Sequence, residues 1–525
     1  MSEEGRLSSA TETDAARLEG NAGQFFGRLK ISELSSPRWL TLELIIALLL
    51  VIVASIYAWP EIKGMATSSL WQDELYTIDR FSSRGPKHVM TNYNANNHIV
   101  FNILNSLTTG KHPFQPFSAR FWSFICLILT VALTLFYCTA ARRPFDGGAQ
   151  LFLFLANLPA LDLALQARGY GFLAFAAVLC TVIAWQYFRQ PSLMALVALP
   201  LVVWLATWTV PTFVFFGGGL LLTMLVYTRD RRWLVSGVCT LLAIVLAYWP
   251  VHSALLQSFN GYSKDWGKPF ASWSAISDLL STYLLFGTAS WVTFLIAILA
   301  VITLCRKRVR TAKVKASVCA GCSTLIALVI SLKMETPPLR TVAYLATPIA
   351  FIFVTVITEP FREGTLQRFR LHMMTAVLLA AFVFALQSGK KFHFRPIEAW
   401  LETAHRIEES FPKGTEVVAR FRPQWLRVYL PGSYPIVQDL DVAKFRAGRQ
   451  IVVDSSFWVK SRFPLNTLPR GYGVDTVPQR RGGGVQWIYS FPPAKSSSQK
   501  RTDLSGPWSG PKLSVGSPRE RRCHA

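Results

Sequence analysis

The chain has 525 residues, with 54 lysines and arginines against 30 aspartates and glutamates, a formal charge of +24. Apolar residues make up 51% and charged residues only 16%, where soluble domains carry about a quarter charged, so an ordinary soluble domain is excluded. The positive surplus falls in short clusters between apolar runs, which excludes a nucleic-acid face and leaves a membrane protein.

Residues 1–38 are polar and of mixed charge and read as a disordered cytoplasmic segment. Leu40 to Trp59 is the first run able to cross roughly 30 Å of hydrocarbon. With so much chain ahead of it, this run is a retained anchor rather than a cleaved signal peptide. A first outer loop, 60–117, follows. Further runs predict spans at 118–140, 149–166, 169–187, 192–208, 211–228, 233–251, 276–304, 316–332, 340–358 and 371–388. With the first, that makes about eleven. Pro159, Pro200 and Pro211 interrupt the middle of this series.

Arg142-Arg143, Arg229 with Arg231-Arg232, Arg306 to Lys315 and Arg362 to Arg370 occupy alternate loops. By the positive-inside rule these loops are cytoplasmic, which places the N-terminus inside and, with an odd number of spans, the C-terminus outside. The expected location is the cytoplasmic (inner) membrane. The transmembrane domain covers 39–389, and the outer side receives 60–117, 252–275 and the chain beyond 389.

Past Lys390 the pattern changes. Ile397 to Glu409 has helical periodicity, and Glu416 to Ala419, Leu426 to Leu430, Ile451 to Asp454 and Val485 to Tyr489 read as short strands between Pro and Gly turns. This predicts a small extracytoplasmic α/β domain over 390–492 and a disordered basic tail over 493–525. The fold class is therefore an α-helical polytopic membrane protein with a small C-terminal α/β domain. Cys319-x-x-Cys322 has redox or zinc spacing, but it lies in an apolar run without a second pair, so its cysteines read as small core residues.

The candidate chemistry gathers in the outer loops. Trp71-Gln72-Asp73-Glu74-Leu75-Tyr76 sets two carboxylates side by side just beyond the first span, a costly arrangement for like charges. Tyr93-Asn94-Ala95-Asn96-Asn97-His98 leads into Ile99 to Leu107, a stretch suited to a short interfacial helix with Asn102, Asn105 and Ser106 at helical spacing. Asn97 and His98 then enter the same cavity as Asp73. Alternatively, His98 is an interfacial histidine bonded to backbone. Gln166-Ala167-Arg168-Gly169-Tyr170 stands where two spans meet, and Arg168 pairs either with Asp162 or with a ligand phosphate. Lys333 to Arg340, followed by Tyr344 and Pro348, runs from an outer loop into a span, where Arg340 either binds ligand or snorkels to headgroups. Lys264 and Lys268 are further outer cations.

In this order the motifs resemble the GT-C superfamily of membrane glycosyltransferases. The branch concerned includes protein O-mannosyltransferases, the lipid A aminoarabinose transferase and rhizobial lipopolysaccharide sugar transferases. The resemblance covers about residues 38–390 and also uses Ser118-Ala119-Arg120 at the second span. It implies a donor sugar on a polyprenyl phosphate, transferred at the outer face to an envelope glycan, lipid or protein. Asp73 then matches the catalytic base and Glu74 the second acid. Asn97, His98, Arg168, Tyr170, Lys264, Arg340 and Tyr344 are the substrate- and phosphate-binding candidates. Where relatives have His-Pro-Pro or Glu-Lys-Pro-Pro, this chain has His98-Ile99-Val100 with no acid before the histidine, so no metal ligand set and no cofactor are assigned. Two other classes stay open: a lipid-linked saccharide transporter or flippase, and a non-catalytic scaffold for envelope assembly.

Overall fold

The computed structural model describes residues 37–94, 96–108, 113–265, 311–333, 339–359, 399–419, 423–455, 467–469, 472–478 and 485–491, with a few isolated positions between 372 and 383. The expected span at 276–304, all but those isolated positions of the one at 371–388, the segment 1–36, the tail and Lys268 lie outside the described residues.

The helical domain opens with α1 (Pro37–Thr67). The first outer loop contributes α2 (Gln72–Arg80), a 3-10 turn at Ser82–Arg84, α3 (Pro86–Thr91) and α4 (Ile99–Thr108). Then come α5 (Pro116–Ala140), α6 (Pro144–Ala156), α7 (Leu158–Leu165), α8 (Tyr170–Arg189), α9 (Leu193–Thr209), α10 (Phe213–Thr228), α11 (Arg232–Tyr248) and α12 (His252–Asp265). Beyond the gap lie α13 (Ala312–Lys333) and α14 (Ala346–Thr358), the latter entered through a 3-10 segment, Leu339–Leu345. Six described helical stretches are long and apolar enough to cross a membrane, or seven if α6 and α7 count as one. Exposed Ile52, Ile56, Leu241 and Leu246 leave their outer faces apolar, as a lipid-facing surface requires. The chain is a multi-pass membrane protein.

One expected span is broken in two. The run at 149–166 is not one helix: α6 and α7 meet at an 80° bend. Pro159 sits in the first turn of α7, and the Asn157 side chain accepts from Ala160 N–H at 3.4 Å, so the sequence carries a helix start in the middle of an apolar run. By contrast α9 runs through Pro200 without a break. At 17 and 16 residues, α9 and α10 are shorter than the roughly 20 that a perpendicular crossing needs.

At the end of the helical domain away from the first outer loop, charged side chains are buried in pairs. Lys313 Nζ lies 2.5 Å from Asp146 Oδ2, both fully buried, and Arg143 pairs with Glu359. Lys313 also stands over the Trp185 and Phe351 rings at 5.6 Å. These contacts tie α6, α8, α13 and α14 together.

The C-terminal domain comprises α15 (Trp400–Ser410), β1 (Glu416–Ala419), α16 (Pro423–Tyr429), β2 (Ile436–Val437), α17 (Val442–Arg446), β3 (Gln450–Ser455), β4 (Gly473–Pro478) and β5 (Val485–Ser490). The strands form one mixed sheet in the order β2-β1-β3-β5-β4. β1 runs parallel to β2 and β3, and β5 is antiparallel to β3 and β4. The expected strand at Leu426 to Leu430 is instead the end of a helix, which closes at Tyr429. Pro423 suits a first helical turn, and burial of the adjacent Trp425 and Leu426, with Leu430 one helical turn on, follows helical rather than alternating spacing.

Candidate functional site

The helix α2 displays its acids in opposite ways because they occupy consecutive positions. Glu74, Leu75, Thr77 and Ile78 are its buried face. Glu74 is fully buried, whereas the Asp73 side chain keeps 15% of its surface.

Glu74 is fully engaged. Its Oε1 accepts from Arg120 Nε at 2.8 Å and from Ala167 N–H, and its Oε2 accepts from Arg120 Nη2 at 2.5 Å and from Trp71 N–H at 2.7 Å. The bond to Trp71 caps the first turn of α2. Arg120, also fully buried, donates in addition to the carbonyls of Met65, Ser68 and Ser69. All five guanidinium protons thus have acceptors. Arg120 belongs to the motif order that carries the resemblance, but not to the site residues the resemblance implies. The available signal was a charged side chain in the opening turn of a span, which is costly unless paired.

Asp73 meets a different cation. Arg168 Nη1 donates to Asp73 Oδ2 at 2.9 Å, and Nη2 donates to Asn96 Oδ1 at 2.6 Å. The guanidinium stands 5.2 Å from the Tyr170 ring centre. The described partner of Arg168 is therefore Asp73 and not Asp162, which faces Gln166 Nε2 at 3.4 Å instead. The turn between α7 and α8 directs successive residues at the site. Ala167 N–H goes to Glu74, the Arg168 side chain to Asp73, Gly169 N–H to His98 Nδ1 at 2.9 Å, and the Tyr170 ring packs edge-on against His98. Gly169 is required here, since a Cβ would come 2.3 Å from Thr209 Cγ2 and 3.1 Å from His98 Nδ1.

The bond from Gly169 also fixes the histidine tautomer. A neutral imidazole that accepts at Nδ1 carries its proton on Nε2, the nitrogen 3.4 Å from Arg168 Nη2. Asn97 faces elsewhere: its Nδ2 donates to the carbonyls of Val89 and Asn92, and its Oδ1 accepts from Asn102. It shapes the loop, while its neighbour Asn96 reaches the arginine. Nothing but its place in an asparagine-rich run marked Asn96 in the sequence.

Tyr344 is separate from the acids. Its ring packs on Phe213 and Phe216, and its hydroxyl donates to Thr212 O at 3.5 Å, inside the helical core. Lys264 lies in α12 and Arg340 in the 3-10 segment before α14, but their side chains are outside the described residues.

Neither a protein-family model nor a curated protein matches the chain. Among solved structures, it is similar to the crystal structure of ArnT from Cupriavidus metallidurans bound to undecaprenyl phosphate, with a TM-score of 0.48, 14% identity and coverage of 86% of this chain and 98% of that one. It is likewise similar to ArnT from the same organism in the apo state, with a TM-score of 0.48 and 13% identity over 86% of this chain and 97% of that one.

The C-terminal domain is seated on the same loop. Ser69 Oγ donates to Glu402 Oε2 at 2.5 Å and accepts from Leu401 N–H at 2.9 Å, and Leu70 N–H donates to the Tyr429 hydroxyl at 3.1 Å. Leu70, Leu75 and Ile78 share one apolar core with Trp400, Ala404, Ile407 and Leu426. Burial holds the Tyr429 phenol above its ordinary range, and the Leu70 bond and the nearby Arg120 partly offset this. The helix that carries Asp73 is therefore clamped between the helical domain and the sheet domain. Asp73, Arg168, Asn96, His98 and Tyr170 form the candidate site. A divalent cation does not suit this donor set, in which Glu74 is saturated, Asp73 is paired with arginine and His98 presents an N–H.

Proposed function

We propose that the chain is a GT-C-type membrane glycosyltransferase of the cytoplasmic membrane. It takes a sugar from a polyprenyl-phosphate donor and passes it, on the extracytoplasmic face, to an envelope glycan, lipid or protein. The observation that carries this reading is the partly exposed Asp73 held by the buried Arg168, whose Nε–H is buried with no acceptor among the described residues. Buried donors are nearly always satisfied, so an unmet arginine N–H beside a carboxylate suits a site that receives an anionic oxygen.

In this reading Asp73 takes the proton of the acceptor hydroxyl as its oxygen attacks the anomeric carbon. The bond from that carbon to the lipid phosphate breaks, and the phosphate leaves as an anion that needs no general acid. Arg168 and the His98 N–H stabilise its charge. The sugar is inverted in a single displacement. Glu74 positions α2 through Arg120 and does not touch substrate.

Asp73→Asn keeps the size and the arginine contact but cannot take the proton. Turnover of a radiolabelled polyprenyl-phosphate sugar should fall by about 10²–10⁴ with folding intact. Near-normal transfer by this variant sinks the mechanism. The 80° break between α6 and α7 favours a second reading, a lipid-linked saccharide carrier, because carriers build their sites at interrupted helices. A carrier moves the donor across vesicles without cleaving it, and the same assay separates the two readings.

A further inference from the structure

A groove of about 290 Å³ runs between α9, α10 and α11, lined by Val203, Val214, Gly218, Leu225, Gly237 and Ile244. It exists because two of its walls are glycines: a Cβ at Gly237 would meet nothing within 4 Å, and one at Gly218 would meet only Val214 at 3.9 Å. Leu222, Leu234, Val238 and Leu241 along its rim are exposed, so the groove opens toward hydrocarbon.

Its extent and its mouth identify an occupant. From Val214 to Leu225 the helix rises about 16 Å, which is half of a roughly 30 Å hydrocarbon core and so the depth of one leaflet. At the Leu225 end the chain turns through Arg229, Asp230, Arg231 and Arg232. Asp230 engages Arg232 at 2.8 Å, while Arg229 and Arg231 are exposed in the turn that follows that end of α10. We propose that this groove binds one acyl chain of an anionic phospholipid of that leaflet, with its phosphate held by Arg229 and Arg231.

The glycosyl donor is a worse fit by position. Thr209, at the far end of α9, touches the Gly169 turn beside His98, whereas Asp230 is bonded by Tyr187 near the other end of α8. The basic mouth is thus at the end of the helical domain opposite Asp73. A lipid whose phosphate sits on Arg229 cannot bring its sugar to that carboxylate. The lipid site does not depend on the transfer reading.

Native mass spectrometry of the full chain in detergent tests this, titrating dioleoyl phosphatidylglycerol, dioleoyl phosphatidylcholine and undecaprenyl phosphate. One phosphatidylglycerol should be retained at least about tenfold more tightly than phosphatidylcholine, as two arginines near a headgroup imply. Gly237→Leu adds bulk to the groove wall at a position where its Cβ meets nothing within 4 Å, and the pair Arg229→Gln and Arg231→Gln removes the charge. Each should abolish that preference while thermal unfolding in lipid-free micelles stays at the wild-type value. Equal retention of the two phospholipids, or wild-type binding by both variants, overturns the site. Displacement of phosphatidylglycerol by equimolar undecaprenyl phosphate overturns the choice of occupant.

Discussion

Glu74 and Arg120 are the residues on which the local fold depends most. Their pair is fully buried and every one of its polar atoms is used. Removing one member strands the other's charge, at a cost of about 3–5 kcal/mol. Arg120→Met should therefore lower the thermal unfolding temperature sharply and reduce the yield of folded protein. Glu74→Gln retains an acceptor for some of these bonds and should be milder. If Glu74→Gln unfolds like the wild type yet transfers no sugar, Glu74 belongs to the chemistry and its positioning role is wrong. Arg168 presents a second, different test. Lysine keeps the charge but cannot span Asp73 and Asn96 with one planar group. Arg168→Lys should weaken donor use, seen as a raised KM, with little change in unfolding temperature. A lowered unfolding temperature with unchanged KM would make Arg168 a structural residue.

Among the elements, the seam between the sheet domain and α2 controls how firmly Asp73 is held. Burying Leu70, Leu75 and Ile78 contributes roughly 1.5–3 kcal/mol per side chain before ordering costs. Tyr429 adds a pH dependence. Because burial raises its phenol above the ordinary 10.0, the neutral form is favoured in the folded protein. Its contribution is complete below that value and is lost as the pH rises through the raised one. Thermal stability should thus be flat near neutrality and decline at strongly alkaline pH. Tyr429→Phe loses the bond from Leu70, worth about 1 kcal/mol, and with it that share of the alkaline decline. Superimposable alkaline profiles for the two proteins would show that the seam does not depend on this hydroxyl.

For the whole molecule, the two polar ends of the helical domain set the expected orientation. One end holds Asp73, Arg168 and the docked sheet domain. The other holds the Arg143, Asp146, Lys313 and Glu359 network and the Arg229 to Arg232 turn. In a cysteine-depleted background, Ser83→Cys and Lys413→Cys should react with an impermeant maleimide from one side of the membrane, and Arg231→Cys from the other. Reaction of all three from a single side would remove both the span assignment and the external site.

Apolar content and run length by themselves determined a multi-pass helical protein and the place of most described helices, as at 118–140 against the observed Pro116–Ala140. They also marked the change of character beyond residue 390 and the neighbourhood of the Asp73-Glu74 pair. Periodicity is a local property, and these features are local. It failed where a short segment carries competing signals, as at the helix start hidden by Asn157 and Pro159 and at the short helix after Pro423. Only the tertiary structure decided which partner each charge takes. Arg168 finds Asp73 across 95 positions and Ala167 finds Glu74 across 93, while Asp162, six residues from Arg168, is passed over as the arginine's described partner. The physical reason is geometric: helix packing sets the distances between remote side chains, and in a low-dielectric interior the partner that satisfies the most buried hydrogen bonds prevails over the nearest in sequence.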